Sequence, residues 1–382
     1  MIEKVAIIGA GIFQKPLIEK AKSMGYETHV FAWEDGAVGR EAADYFYPVS
    51  IVEKEQILAL CRSIRPAAVA SIASDLAAIT VNEVACRLGL PSNSPECVKK
   101  TTNKYLMRRA LQKAGIPVPD FVLADQANLA GGAAAWGLSY PLIVKPTDRS
   151  GSRGIALVHD DPALRRAVET AAGYSFQKKA IVETVLEGPE YSCECLTEQG
   201  QHHLLALTQK ITTGAPDFIE TGHRQPAAFP EAQKSEIAQI LFAAYDALDI
   251  TCGASHAEFR VDHAGRIRII EIGARMGGDC IGSHLVPLST GYDFMGMVLD
   301  VAAGKRPNLQ KQTGPRAAAI NFIMNGADLA KMNRIVQAVP ESVVEIGPIE
   351  LNDRPVVDSS SRYGYYILAA GDTREMERIL AL

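Results

Sequence analysis

The order of elements over the first 95 residues constrains the fold most strongly. Val5-Ala6-Ile7-Ile8 is a short apolar run that ends in Gly9-Ala10-Gly11. A helical stretch follows to Met24-Gly25, where glycine makes a good C-terminal stop. Residues 28–33 read as a second strand, 54–64 as a helix and 67–72 as a third strand. Strands alternating with helices close as a parallel sheet with helices on both faces. The turn formers of Gly89-Leu90-Pro91-Ser92-Asn93-Ser94-Pro95 end that unit.

Downstream the rhythm changes. Met107, Ala110, Leu111 and Ala114 fall at helical spacing, and Gly115-Ile116-Pro117 stops that helix. Residues 142–145 and 155–158 read as strands flanking a Gly/Ser loop, 162–172 as a helix and 180–183 as a further strand. From Tyr191 the pattern is β, with Glu198-Gln199-Gly200 as a turn between two long strands. Ile237, Ile240, Leu241, Ala244 and Leu248 line one face of a helix over 231–248, and 257–272 reads as a hairpin. Ala303-Gly304-Lys305-Arg306-Pro307 marks a second boundary, and Asp372 with Glu375 forms a capping box before the last helix. A length of 382 residues suits two or three domains. With 47% hydrophobic and 22% charged residues the chain is not disordered. A net charge of −5 without a basic run argues against nucleic acid as partner. No apolar stretch reaches the ~18 residues that span a bilayer, and the first residues carry no signal peptide. The seven cysteines are odd in number and form no CxxC pair, so they read as reduced thiols of a cytoplasmic protein.

Three segments carry chemistry. Gly9-Ala10-Gly11-Ile12-Phe13-Gln14 has Gln14 where a dinucleotide fingerprint needs its third glycine, although Glu34 or Asp35 lies where a ribose-binding acid would. Lys145 precedes Asp148-Arg149-Ser150-Gly151-Ser152-Arg153-Gly154, a loop of small residues whose N–H groups can turn onto phosphate oxygens. It lacks the ending of a P-loop and precedes a strand, so it reads as a lid between two strands or as a bare hairpin tip. In the hairpin, a two-residue turn at Ala264-Gly265 places Glu258 directly opposite Glu271. Like charges so placed destabilise a sheet, and Mg²⁺ held together with a polyphosphate is the usual compensation. A three-residue turn shifts the register by one and puts the acids on opposite faces. Arg275 follows, where it neutralises a phosphoryl group or makes a surface ion pair.

Five pieces occur in one order: Asn103-Lys104, Val144-Lys145-Pro146 with its loop, Val182-Glu183-Thr184-Val185-Leu186-Glu187-Gly188-Pro189-Glu190, the paired acids, and Glu271-x-Gly273-x-Arg275. In this the chain resembles the ATP-grasp superfamily of carboxylate–amine ligases, in the arm of biotin carboxylase, the purine-pathway carboxylases and the amino-acid ligases. The resemblance implies an α/β protein with an N-terminal parallel αβ (Rossmann-like) domain over 1–95. An ATP-grasp α+β domain would cover 96–305, with a lid subdomain at about 106–186, and a small β-rich domain 306–382. In that arm the opening domain binds no dinucleotide. ATP and Mg²⁺ are the implied cofactors. Lys104 and Lys145 would hold phosphates, with Lys145 and Arg275 catalytic, and Arg149, Ser150, Gly151, Ser152 and Gly154 would close over them. Glu183, Thr184 and Val185 would form the adenine hinge, Glu190 would meet the ribose, and Glu258 and Glu271 would bind the metal. Most members carry Asn where this chain has Gly273, which leaves one or two metal ions open.

Residues 209–226 resemble the substrate-side loop of amino-acid ligases. His223, Arg224, Arg275, Gly277 and Gly278 would there face the substrate. His256, two residues before Glu258, shares its strand face and reads as a partner behind the metal or as a ligand to it. Tyr191, Cys193 and Cys195 read as core, and Arg108-Arg109 as a solvated helix face. The implied reaction phosphorylates a carboxylate with ATP, then lets an amine displace phosphate. The partners are small-molecule carboxylate and amine substrates, an amino acid or small peptide among them, and a homodimer stays open. Two alternatives stand beside it: a carboxylase that phosphorylates bicarbonate, and a nucleotide-binding protein without catalysis, to which Gly273 points.

Overall fold

The computed structural model describes residues 2–125 and 128–382. Its first sheet holds β1 (Lys4–Ile8), β2 (Glu27–Ala32), β3 (Tyr45–Pro48) and β4 (Ala68–Ala70), all parallel in the order β3-β2-β1-β4. The helices α1 (Lys15–Ser23), α2 (Lys54–Ile64) and α3 (Asp75–Leu88) cover its faces. The alternation read from the sequence is thus present, and its second strand sits one residue earlier than expected. The glycine turn after β1 is closed by Gln14 itself. Its Oε1 accepts the N–H of Gly11 at 3.1 Å, and its Nε2 donates to the carbonyl of Ile72 at 3.0 Å. That side chain packs against Gly9 and Gly11, where a dinucleotide fingerprint has its third glycine instead.

The helices α4 (Pro95–Thr102) and α5 (Lys104–Lys113) lead to a second sheet. It holds β5 (Phe121–Ala124), β6 (Leu142–Pro146), β7 (Ala156–Val158) and β8 (Ala180–Thr184), antiparallel in the order β5-β8-β6-β7. On it α6 (Asp161–Tyr174) buries Leu164, Val168 and Ala171 against Leu142, Val144 and Val182.

The third sheet is antiparallel and has eight strands: β9 (Glu190–Glu198), β10 (Gln201–Thr212), β11 (Glu220–Gln225), β12 (Gly253–Val261), β13 (Ile267–Gly273), β14 (Ala317–Ile323), β15 (Val343–Ile346) and β16 (Gly364–Ala370). Their order is β13-β12-β9-β10-β11-β14-β16-β15. The turn between β9 and β10 is Gln199-Gly200, both at positive φ, as a tight hairpin requires. Between β11 and β12 runs α7 (Glu231–Ala247), which buries Ile237, Leu241 and Ala244 against Phe259, Ile269 and Ile272. Beyond residue 305 two helices, Gly326–Ala338 and Thr373–Leu380, accompany three strands. Those strands continue the central sheet through the β11–β14 ladder. The expected capping box is there: Asp372 accepts the N–H of Glu375 at 2.8 Å, and the Glu375 carboxylate reaches back to the N–H of Gly371 at 2.6 Å. Among the described residues no helix is long and apolar enough to cross a membrane.

The second and third sheets are joined by Leu186–Pro189, a link too tight for a side chain at Gly188. Its φ is +88°, and a Cβ there would sit 2.1 Å from the carbonyl oxygen of Val261. Gly200 has a similar φ of +79° with nothing within 4 Å. Gly200→Ala should therefore cost only the backbone term of about 1 kcal/mol. Gly188→Ala should add a steric term and cost about 2–4 kcal/mol. Urea midpoints of the two variants test this, and equal losses would contradict the close approach.

Candidate active site

Glu258 on β12 and Glu271 on β13 face each other in the ladder, although the turn beyond them is not the two-residue one. Asp262 N–H donates to the carbonyl of Arg266, which leaves three residues in the turn and shifts the register by one. A β-bulge at Ile270 shifts it back: Phe259 pairs with Ile269, and Glu258 with Glu271. Each acid is then matched by a lysine from another element. Lys210 Nζ on β10 lies 2.5 Å from Glu258 Oε1, and Lys104 Nζ at the start of α5 lies 2.8 Å from Glu271 Oε1. Burial alone would raise the Glu258 carboxyl, but Lys210 and His256 outweigh it and hold it well below the usual range. Lys210 is 3% exposed, and Glu258, Glu190 and Glu220 push its ammonium up against the opposing effect of burial.

The wall beside this floor belongs to the second sheet. Glu183 on β8 is buried between Lys145 Nζ on β6, at 2.9 Å, and Arg108 Nε on α5, at 2.6 Å. Burial would raise its carboxyl, yet Arg108 and Lys145 bring it down to about 2. Arg108 also donates to the carbonyl of Ile270, the bulged residue of the floor. It is 0% exposed, so the expected solvated face is corrected; only Arg109 of that pair is exposed. The pattern held the signal. Lys104, Met107, Arg108 and Leu111 form one stripe at helical spacing, all buried, and counting apolar residues alone hid Arg108 on it.

Over the floor lies the loop from Arg149 to Gly154. The Lys104 ammonium donates to the carbonyl of Arg149 at 2.7 Å, and the Arg149 guanidinium packs over the Phe176 ring at 3.8 Å. Ser152 Oγ donates to the carbonyl of Phe218, at the tip between β10 and β11, at 3.2 Å. A cleft of about 1120 Å³, open to solvent, separates loop from floor. Eight Lys and Arg line it against five Glu, an excess that suits a polyanion. Its lining also has an apolar part, with Ile143, Ile155, Leu186 and Ile270 besides Thr184 and Val185.

The remaining candidates fall in several places. Glu190 lines the cleft with one oxygen 3.0 Å from Lys210 and the other 3.2 Å from Arg260. Arg275 lines it too and is held by Asp75, the first residue of α3, at 2.7 Å. A Cβ at Gly273 would lie 3.3 Å from both Arg275 Nε and Asp75 Oδ1, so the glycine makes room for that pair. His256 Nδ1 is 2.5 Å from Glu194 and its Nε2 is 3.3 Å from Glu258. Burial would lower this imidazole, but Glu194 and Glu258 raise it to about 9. Gly277 N–H donates to Glu194 at 3.0 Å, while Gly278 faces Ala73. His223 and Arg224 lie on opposite faces of β11. His223, 1% exposed, contacts Asp279 at 3.2 Å, and Asp279 is gripped by Arg362 through two oxygens. Arg224 turns away from the cleft to Asn321 and the carbonyl of Ile320. Tyr191 packs on Phe229 and Phe259, and Cys193 and Cys195 are buried, as expected of core. All seven cysteines are free.

The floor fits a hard divalent cation. Glu258 and Glu271 are 21% and 26% exposed toward the cleft and offer carboxylate oxygens, which Mg²⁺ prefers. Among the described residues no third His, Cys, Asp or Glu completes a closed metal site. An ion there would take its other ligands from phosphate and water, as Mg²⁺ commonly does.

Residues 138–283 match the model of the ATP-grasp domain family. The L-arginine-specific L-amino acid ligase of Bacillus subtilis is 26% identical over 212 residues, 54% of this chain and 51% of that protein. The D-alanine–D-alanine ligase of Pseudomonas entomophila is 28% identical over 215 residues, 53% of this chain and 63% of that protein. The chain thus spans between half and two thirds of these relatives' length. The crystal structure of an L-amino acid ligase from Bacillus licheniformis superposes with a TM-score of 0.83 at 24% identity, covering 99% of this chain and 96% of that one, a likeness of fold. Residues 138–283 thus match an ATP-grasp domain, and the chain as a whole shares the fold of ATP-grasp enzymes.

Proposed function

We propose that the protein is an ATP- and Mg²⁺-dependent ligase that activates a carboxylate as an acyl phosphate and joins it to an amine, with an amino acid or small peptide among its substrates. One observation carries this reading: Glu258 and Glu271 stand side by side under a glycine-rich loop, each matched by a lysine. The amino-acid part draws on the two named relatives, whose names describe ligases of amino acids.

The residues divide the work. The apolar part of the cleft receives adenine beside Thr184 and Val185, and Glu190 accepts from the ribose hydroxyls. Lys104, Lys145 and the N–H groups of the loop hold the phosphates, and Arg275 faces the phosphoryl group in transfer. Glu258 and Glu271 hold Mg²⁺, which when bound neutralises and orients phosphate oxygens. A carboxylate is a poor electrophile. Passing the γ-phosphoryl group to its oxygen releases ADP and creates a leaving group. A neutral amine then attacks the carbonyl carbon, phosphate departs, and the nitrogen gives up a proton. The loop from Arg149 to Gly154 keeps water from the acyl phosphate. His223 and the Gly277-Gly278 turn, which lie outside the lining of the cleft, are assigned to the substrate side, whereas Arg224 is taken up by Asn321 and the carbonyl of Ile320.

A pairwise screen of amino acids, with bicarbonate plus amines as a separate arm, tests the assignment by ADP formation. Amino-acid pairs should release ADP. Release only in the arm with bicarbonate plus amines would favour the carboxylase, and binding of ATP without turnover on any panel would refute the ligase. Glu271→Gln and Glu258→Gln should each lower turnover on the order of 10²–10³-fold while the fold is kept.

Lys145 stays in place through Glu183, and this yields a pH test. The Glu183 carboxyl sits at about 2 instead of the ordinary 4.5. Its stabilisation is therefore complete above about pH 4.5 and is lost as pH falls toward 2. Glu183→Gln leaves Arg108 buried against a neutral amide and should cost about 3–5 kcal/mol at pH 7. It should also lose less stability than the wild type between pH 4.5 and pH 3 in urea titrations. Equal slopes in the two proteins would contradict this.

A further inference from the structure

Glu194 is a buried carboxylate to which the reaction above gives no task. It lies in mid-strand on β9, 0% exposed, directly opposite His256 on β12. Its Oε1 accepts from His256 Nδ1 at 2.5 Å, and its Oε2 accepts the N–H of Gly277 at 3.0 Å. The other ring nitrogen of His256 reaches Glu258 Oε1 at 3.3 Å. The packing is close at Gly277. A Cβ at Gly277 would lie 2.3 Å from Glu194 Oε1 and 2.7 Å from His256 Nδ1.

His256 also stands directly opposite Gly273 in the β12–β13 ladder. Position 273 has no side chain to brace the acid pair, and the Arg275–Asp75 pair packs over it. The brace for Glu258 therefore comes from the other side, from β9. A buried carboxylate is costly unless its oxygens find donors. The two donors that Glu194 finds belong to the element holding the metal-facing acid and to the turn at Gly277 that follows Arg275. Groups behind a metal ligand fix its orientation and tune affinity even without touching the ion.

We propose that Glu194 is a positioning residue, which through His256 orients Glu258 toward the cation and through the Gly277 N–H holds the substrate-side turn in register with it. This rests on the ligase reading and adds to it a residue that the five sequence pieces do not contain.

The test is calorimetric titration of ADP, with and without Mg²⁺, into wild type, Glu194→Gln and His256→Gln. In Mg²⁺, both variants should bind ADP about 10-fold or more weakly than wild type. Without metal they should bind within about twofold of it, since neither residue faces the base or sugar. Affinity unchanged in Mg²⁺, or lost equally with and without it, overturns the proposal; the second pattern marks a merely structural role. If Glu194→Gln does not fold, His256→Gln decides alone. Wild type that binds no ADP in Mg²⁺ would sink the ligase reading itself. Wild type that binds while the variants match it sinks only the role of Glu194.

Discussion

Two glutamates held opposite each other on neighbouring strands are the constraint around which the rest is arranged. Glu258 and Glu271 repel, and a sheet tolerates the pair only with compensating charge nearby. The fold supplies it twice, by Lys210 from β10 and by Lys104 from α5. Both acids keep a quarter or so of their surface open to the cleft, so the arrangement is balanced without being sealed. A divalent cation bound there would release Lys104 toward the phosphates of a nucleotide, while Lys210 keeps Glu190 and Glu220.

The same logic joins the second sheet to the third. Arg108 contacts Glu183 on one side and the bulged carbonyl of Ile270 on the other. It thereby couples the strand beside Lys145 to the irregularity that sets the register of the acids. Leu186–Pro189 presses on Val261 at the far end of β12. The wall that would hold phosphate and the floor that would hold metal are thus fixed together at two points, and the loop from Arg149 to Gly154 sits between them. Asp75 brings in the first sheet through Arg275.

The sequence made the local features legible. Alternating strands and helices gave the parallel sheet, and Asp372 with Glu375 gave the last helix. The facing acids were also foreseen, but from a turn that does not form. The real turn is one residue longer, and the bulge at Ile270 cancels the shift. The bulge shows only as a break in alternation, with Ile267 and Ile269 buried and then Ile272, and a count back from the turn assumes regular pairing and passes over it. Arg108 was hidden because an ion pair with a residue 75 positions away makes a cation behave as core. Lys210 sat in a segment read as a loop, while it lies on a strand opposite Glu190. Glu194 was masked by Cys193 and Cys195, its neighbours on the opposite face; its partners come from β12 and from the turn at Gly277.

A crystal structure with Mg²⁺ and a non-hydrolysable ATP analogue tests the central claim most directly. The phosphates should lie beneath the loop from Arg149 to Gly154, with a metal at about 2.1 Å from carboxylate oxygens of both Glu258 and Glu271. Lys104 should then have turned from its glutamate toward phosphate. A nucleotide bound elsewhere, or a metal touching neither acid, would contradict it.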